Sequence, residues 1–490
     1  MQQEPGHIPT RGIAVPTANG YEVPEGKGEF MNRNSILLLI GQSISLIGDG
    51  FYLLTVQVWL LTYLVASAAT PAAKSAAALT LAAATTIIFG SQYLSQFLVL
   101  PFAGVFVDRW NRKTAMLVAN LVQTVIALLP LVAYYGPRNL FLPTLYVTFF
   151  LLVVAQGFFQ SAELGTVQVI VSQRRAPQLI SFFQTLIALG TVVGALFSGT
   201  FFLSTGPLLA IGINALSFLI SAVFIFFMRV PREAIHPHAY RKTSAEGQTS
   251  VSSGLGSVLK DLAIGTRFSF TTPFILGLII MLVVSQIGAG AVNGLYGGFF
   301  VLNLHGDPAK DASLLNILPA ALGAGALIGA LLAGLLTRFM PIRSMTVVSV
   351  ILLGLGLALF AFQGVLVVGV ALFTLIGVFQ GIFQVGYNAL IVKASPQTLV
   401  GRVSAAISSI TALSSLGAAF GIARIVDYFN PLQNPLSPFA KNPSSILTII
   451  FAIAGVLIAL GGVVGFLIFI QAKESTTTTA GATAGEMTGD

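Results

Sequence analysis

The chain has no cysteine, which removes disulfides, thiolate nucleophiles and iron–sulfur ligation from consideration. Histidine is scarce as well, with four in 490 residues and none inside a long apolar run. His236 and His238 stand among Pro, Ser and Gly, a setting for solvated side chains rather than a metal site. Charge is the third scarcity. Asp, Glu, Lys and Arg make up 8% of the chain, against about 25% in a soluble protein, too little to cover a water-facing surface of this size. Nucleotide-driven and hydrolytic chemistry lack their motifs. Gly26-Lys27 has the wrong glycine spacing for a phosphate loop and no strand before it. Neither Gly-x-Ser-x-Gly nor His-Glu-x-x-His occurs. No enzyme activity, catalytic residue, metal or cofactor is expected.

What is present is apolar: 55% of residues are hydrophobic. A membrane-crossing helix needs about 20 such residues in a row. Twelve stretches qualify, near 36–66, 78–107, 114–134, 141–166, 180–204, 207–228, 274–302, 314–336, 343–362, 365–392, 403–428 and 446–470. They do not alternate polar with apolar, so a membrane β-barrel is excluded. The expected fold is an all-α polytopic membrane protein of twelve transmembrane helices in two six-helix bundles, 34–228 and 273–470. A polar linker over 229–272 divides them; its second part, 258–268, mixes apolar and charged residues as a short interfacial helix does. Residues 1–33 and 471–490 read as disordered tails, and no signal peptide is apparent at the start.

The charges that do occur are placed unevenly. Asp108, Arg109, Arg112 and Lys113 fall within six residues, between the second and third apolar runs. Charges are expensive in hydrocarbon, so this is a tight loop on one membrane face. Its excess of positive charge places that face toward the cytoplasm. With both termini on the same side, only Lys74, Arg138, Lys310 and Lys441 lie outside, and Arg424 sits near a span end. The net charge of +8 therefore reports topology in the cell membrane, not nucleic-acid binding.

Polar residues inside the spans fall in stripes. In span 1, Gln42, Ser45 and Asp49 are spaced i, i+3, i+7 and share a helix face. In span 4, Gln156, Gln160 and Glu163 lie at i, i+4, i+7; Glu163 is about 16 Å along a helix from Arg174, which places it near mid-membrane. Span 7 carries Gln286 and Asn293. Span 10 carries Gln380, Gln384 and Asn388. Every third span thus holds the most connected stripe, the pattern of a chain built from three-helix repeats around a cavity. Gln92, Gln96, Asn120, Gln123, Gln184 and Asn214 are polar too; interhelical hydrogen bonding accounts for them at about 0.6–2 kcal/mol each. Asp49 and Glu163 are different, because an ionisable group in a span is a functional hypothesis by default. Glycine pairs four apart, Gly190/Gly194, Gly325/Gly329, Gly377/Gly381 and Gly417/Gly421, suit close helix packing.

These residues also carry a resemblance. Gly104-x-x-x-Asp108-Arg109-x-x-Arg112-Lys113 resembles the loop between helices 2 and 3 of the major facilitator superfamily. Gly41-Gln42-x-x-Ser45-x-x-Gly48-Asp49 resembles span 1 of the efflux branch that includes macrolide and enterobactin exporters. Val258–Phe268 and Pro396–Val403 resemble the same branch. The loop after span 8, Gly334 to Arg343, is a degenerate copy of the first motif that keeps arginines and lacks the Asp. Span 5 departs from the antiporter pattern, since Ala195 follows Gly194 where a proline is common.

The resemblance implies a transporter that rocks two bundles around a central site. It implies that Asp108 meets the N-terminal end of span 11 near Gly401 and Arg402 as a conformational latch. Four readings stay open: a proton-coupled exporter of amphipathic small molecules such as drugs, an exporter of siderophores or lipid-like metabolites, an importer, and a non-transporting receptor or anchor. With no nucleotide site and no histidine in a span, protons are the expected coupling ion and Asp49 and Glu163 the expected proton sites. The expected partners are a small-molecule substrate, protons and membrane lipid, with the chain acting as a monomer.

Overall fold

The computed structural model describes residues 15–17, 20–22, 32–65, 70–170, 176–229, 255–306, 311, 314–395, 400–430, 434, 437–439 and 442–486. The helices are α1 (Arg33–Leu64), α2 (Pro71–Arg109), α3 (Arg112–Ala127), α4 (Pro130–Tyr135), α5 (Phe141–Ile170), α6 (Ala176–Thr205), α7 (Leu208–Phe227), α8 (Leu255–Thr271), α9 (Pro273–Leu302), α10 (Ile317–Leu336), α11 (Ile342–Phe360), α12 (Leu366–Ala394), α13 (Val400–Tyr428) and α14 (Ser444–Glu486). Among the described residues, twelve segments are long and apolar enough to cross a membrane. In hydrocarbon the backbone must satisfy its own polar groups, and a helix does so within one segment. Pro130 interrupts one crossing, since it supplies no N–H to the preceding turn; α3 and α4 together make the third span.

Local sequence sets the helix starts. Asn32 caps α1, its side chain accepting from the Ser35 amide, and Asn111 caps α3 by accepting from Thr114. Only Trp110 and Asn111 separate α2 from α3, which is the tight turn expected around Asp108–Lys113. Two tail segments differ from the expectation of disorder. Val15–Thr17 pairs antiparallel with Gly20–Glu22, next to Asn19-Gly20, residue types that favour tight turns. Past Ile470, α14 continues to Glu486, a stretch without proline whose first glycine is Gly481.

The same helix pairings occur twice. In the N-terminal bundle α1 packs on α6 and α7, α2 on α5, and α3 on α5 and α7. In the C-terminal bundle α9 packs on α13 and α14, α10 on α12, and α11 on α12 and α14. Each half therefore has its first span on its fifth and sixth, its second on its fourth, and its third on its fourth and sixth, as a duplicated unit requires. Between bundles, α2 meets α9 and α13, and α6 meets α10. α8 lies against α13.

The two ends of the molecule are packed differently. The motif end carries the α2–α3 turn; the far end carries the α1–α2 connection. In α1, buried residues near the motif end recur on one face: Ser35, Leu38, Gln42, Ser45, Gly48. From Leu54 to Leu61 every residue is buried, whichever way it points. In α9, Gly294 to Phe300 are likewise all buried. A helix buried on all sides is enclosed by neighbours; in the far half of α9, Gly294, Gly297 and Gly298 face Thr86, Leu81 and Ala78 of α2 in the other bundle.

Candidate functional site

Asp49 lies midway along α1 and is partly exposed. Glycine sets its position. Gly48 faces Ser217 of α7, and a Cβ on Gly50 would stand 2.6 Å from the Gly190 carbonyl oxygen of α6, so α1 is held close to both helices. The Asp49 carboxyl interacts with the Asn214 side chain of α7, more loosely than the strict hydrogen bonds elsewhere in the bundle. Tyr52, one turn on, is 1% exposed and stacks on Phe149 of α5 at 5.6 Å. Asp49 is thus set among α1, α5 and α7.

Glu163 is buried, with Gln42 of α1 as its side-chain partner. Its Oε1 has no hydrogen-bond partner among the described residues. Gln42 and Asp49 are seven residues apart, about 10 Å along α1. The two acids are therefore at different depths, Glu163 beside Gln42 and nearer the motif end than Asp49; the expected mid-span depth of Glu163 is counted from Arg174. Arg174, the reference for that expectation, lies outside the described residues.

The remaining α5 amides divide. Gln156 accepts from Gln123 Nε2 of α3 at 2.8 Å and stays partly exposed. Gln160 is exposed. Asn120 donates to Ser221 Oγ at 2.9 Å, the interhelical role expected of it.

In the C-terminal bundle the structure gathers four of the five expected amides. Gln286, Asn293, Gln380 and Gln384 line one small pocket with Ser285, Phe383, Leu282 and Ile458, a cavity of about 70 Å³ that opens on one side. Gln286 Nε2 also donates to Ser415 Oγ of α13 at 3.4 Å. Asn293 interacts with Tyr93 of α2 across the bundle boundary. Asn388 is exposed and does not line the pocket. A helix turns about 100° per residue, so eight residues carry Asn388 about 80° round from Gln380.

Of the expected latch residues, Gly104, Asp108, Arg109 and Arg402 have side chains outside the described set; their backbone lies at the end of α2 and the start of α13. Arg112 opens α3. Lys113 works within the N-terminal bundle: its Nζ donates to the carbonyls of Phe226 and Met228 at 2.8 and 2.7 Å. A cation there satisfies carbonyls that the end of α7 leaves open and offsets its dipole. Arg33 and Asn34 reach the same helix end. His236 and His238 lie outside the described residues.

Three glycine pairs pack as expected. Gly325 and Gly329 of α10 face the α12 backbone, Gly377 and Gly381 of α12 face α10, and Gly190 and Gly194 face α1. Gly417 and Gly421 have no neighbour within 4 Å of a Cβ position among the described residues. Asn214, Tyr52 and Tyr93 are the neighbours that sequence reasoning did not assign to the site. For the tyrosines the available signal was a phenol within a span, which needs a partner when buried.

A sequence model of the Major Facilitator Superfamily matches residues 38–421. The chain is 27% identical over 407 residues to the uncharacterized MFS-type transporter YfiS of Bacillus subtilis (strain 168), covering 80% of this chain and 87% of that protein. It is 24% identical over 344 residues to the enterobactin exporter EntS of Citrobacter koseri, covering 67% of this chain and 73% of that protein. Its fold is similar to that of a bacterial homologue of the human lysosomal transporter Spinster in an inward-facing, unoccupied conformation, with TM-score 0.62, 11% identity, and 90% of this chain and 98% of that chain covered. A D-xylose–proton symporter is similar at TM-score 0.61 and 12% identity, covering 86% and 96%. The chain is a multi-pass membrane transporter and belongs to the major facilitator superfamily.

Proposed function

We propose that this transporter exports amphipathic small molecules from the cytoplasm across the cell membrane in exchange for protons, by rocking its two bundles around the central cavity. Both termini and the α2–α3 turn face the cytoplasm, as the distribution of Lys and Arg requires. The observation that carries the reading is the pair of intramembrane carboxyls, Asp49 and Glu163, each beside an amide of a neighbouring helix. A carboxyl retained inside a span marks an ion or substrate path by default, and amides beside it are able to bind its protonated and ionised forms alike.

The substrate surface is the amide-lined pocket of the C-terminal bundle. Its glutamines and asparagine donate and accept, Phe383 and the aliphatic side chains take apolar surface, and no charged side chain lines it among the described residues. Asp108 and Arg402 act as the latch at the motif end, with the α2 terminus meeting the start of α13 while the cavity is open on the far side. A siderophore or lipid-like metabolite is the second reading, favoured by the similarity to the enterobactin exporter.

The test is accumulation of a panel of macrolides, lipophilic cations and siderophores in cells expressing the wild type or Asp49→Asn. Lower accumulation of at least one class, lost in the variant, supports export. Higher accumulation in wild-type cells makes the protein an importer, and no difference for any class contradicts the proposal.

A further inference from the structure

Asn316 immediately precedes α10 and is fully buried. Its Nδ2 donates to the Leu54 carbonyl of α1 at 2.9 Å and to Ser198 Oγ of α6 at 2.8 Å. Its Oδ1 accepts from the Tyr296 hydroxyl of α9 at 3.0 Å. One amide therefore joins three other helices, and both of its donated bonds cross from the C-terminal bundle to the N-terminal one. Leu54, Ala195 and Ala320 form an apolar cluster in the same region, drawn from α1, α6 and α10.

Other polar contacts cross the boundary in the same half of the molecule. Asn430 Nδ2 reaches the Ala76 carbonyl and Thr80 Oγ1 of α2, both at 3.3 Å. Thr85 of α2 donates to the Gly294 carbonyl of α9. Asn316 has the shorter bonds and the deeper burial of the two asparagines. If the bundles separate at the far end, Asn316 keeps Tyr296 and loses Leu54 and Ser198, exchanging both donated bonds for water. Its bonds are thus made in one global state and broken in the other, the condition under which a contact biases a two-state equilibrium.

We propose that Asn316 is the hydrogen-bond lock that holds the far end of the two bundles closed and sets how often that end opens. The lock rests on the rocking motion proposed above, but not on export, proton coupling or any substrate. Two interhelical bonds of ordinary strength make the expected shift in the closed-to-open ratio about tenfold on their removal.

The chain has no cysteine, so introduced thiols can be spin-labelled without background. Ser204→Cys in the N-terminal bundle and Gly364→Cys in the C-terminal bundle lie at the far end and are exposed. Electron–electron distance distributions between these labels would be compared in the full chain, alone and with Asn316→Ala. The expected result is a longer-distance population that rises about tenfold relative to the short one. Ser198→Ala removes one of the two crossing bonds without altering α10, and should move the distribution the same way by less; it carries the test if Asn316→Ala does not fold. Asn303→Ala is the control. It loses a bond to Thr448 within the C-terminal bundle (2.8 Å), and should leave the distribution unchanged. An unchanged distribution in both Asn316→Ala and Ser198→Ala overturns the lock, as does an equal shift in Asn303→Ala. A wild type that never shows the longer population under any condition counts instead against rocking itself.

Discussion

The two bundles share one set of helix pairings and differ in what they hold inside. The N-terminal bundle encloses two carboxyls, Asp49 and Glu163, each against a neighbouring amide. The C-terminal bundle has no acidic residue in α9, α10, α11 or α12; Glu474 and Glu486 of α14 lie past its membrane-crossing part (Ser444–Ile470), and Asp427 of α13 sits at the far end of its helix. Its interior polarity is that of amides and hydroxyls around an apolar pocket. Helix packing in a membrane depends mainly on small residues and close contact, so a duplicated scaffold keeps its pairings while interior side chains diverge. On the proposed reading, the N-terminal half handles the proton and the C-terminal half the substrate.

The largest expected effect comes from removing that asymmetry. Asp49→Asn should lower substrate-driven proton movement at least about tenfold, as loss of an intramembrane ion site does. Thermal unfolding of the detergent-purified protein should show the variant still folded. Adding a charge to the other bundle is the next test. Gln380→Glu places a carboxyl in the amide pocket and should shift preference from neutral toward cationic substrates by about tenfold, or about 1.4 kcal/mol, in competition assays. Equal loss for both classes would remove the pocket as the substrate surface. A milder change, Gln286→Leu, should raise KM about threefold with little effect on the maximal rate, because one uniform binding contact is lost.

Much of this was legible in the sequence. The twelve spans, the two-residue turn before Arg112 and the helix leading into α9 follow from apolar run length and charge placement. Four amides expected in the cavity from α9 and α12 do share a pocket. What the sequence leaves open is the partner of each side chain. Periodicity tells which residues share a helix face, but not which helix that face meets or how deep it lies. Hence the partner of Gln156 on α3, Gln123, and the exposure of Asn388, about 80° round from Gln380, appear only in the assembled structure. Asn316 shows the same limit more strongly: it falls within the expected 314–336 stretch without a polar stripe, and its three bonds are visible only once four helices are assembled.

The smallest effects separate packing from function. Asn120→Leu loses a bond to Ser221 and should cost about 0.6–2 kcal/mol of stability with transport unchanged. Lys113→Met removes the cation from the end of α7 and should cost about 1 kcal/mol, read as a small drop in unfolding temperature.

The most direct test of the central claim is proton release from inverted membrane vesicles energised with a pH gradient. On addition of a transported macrolide, lipophilic cation or siderophore, wild-type vesicles should release protons, and Asp49→Asn and Glu163→Gln vesicles should not. Substrate flux without proton movement in the wild type, or undiminished release in both variants, would contradict proton exchange through these two carboxyls.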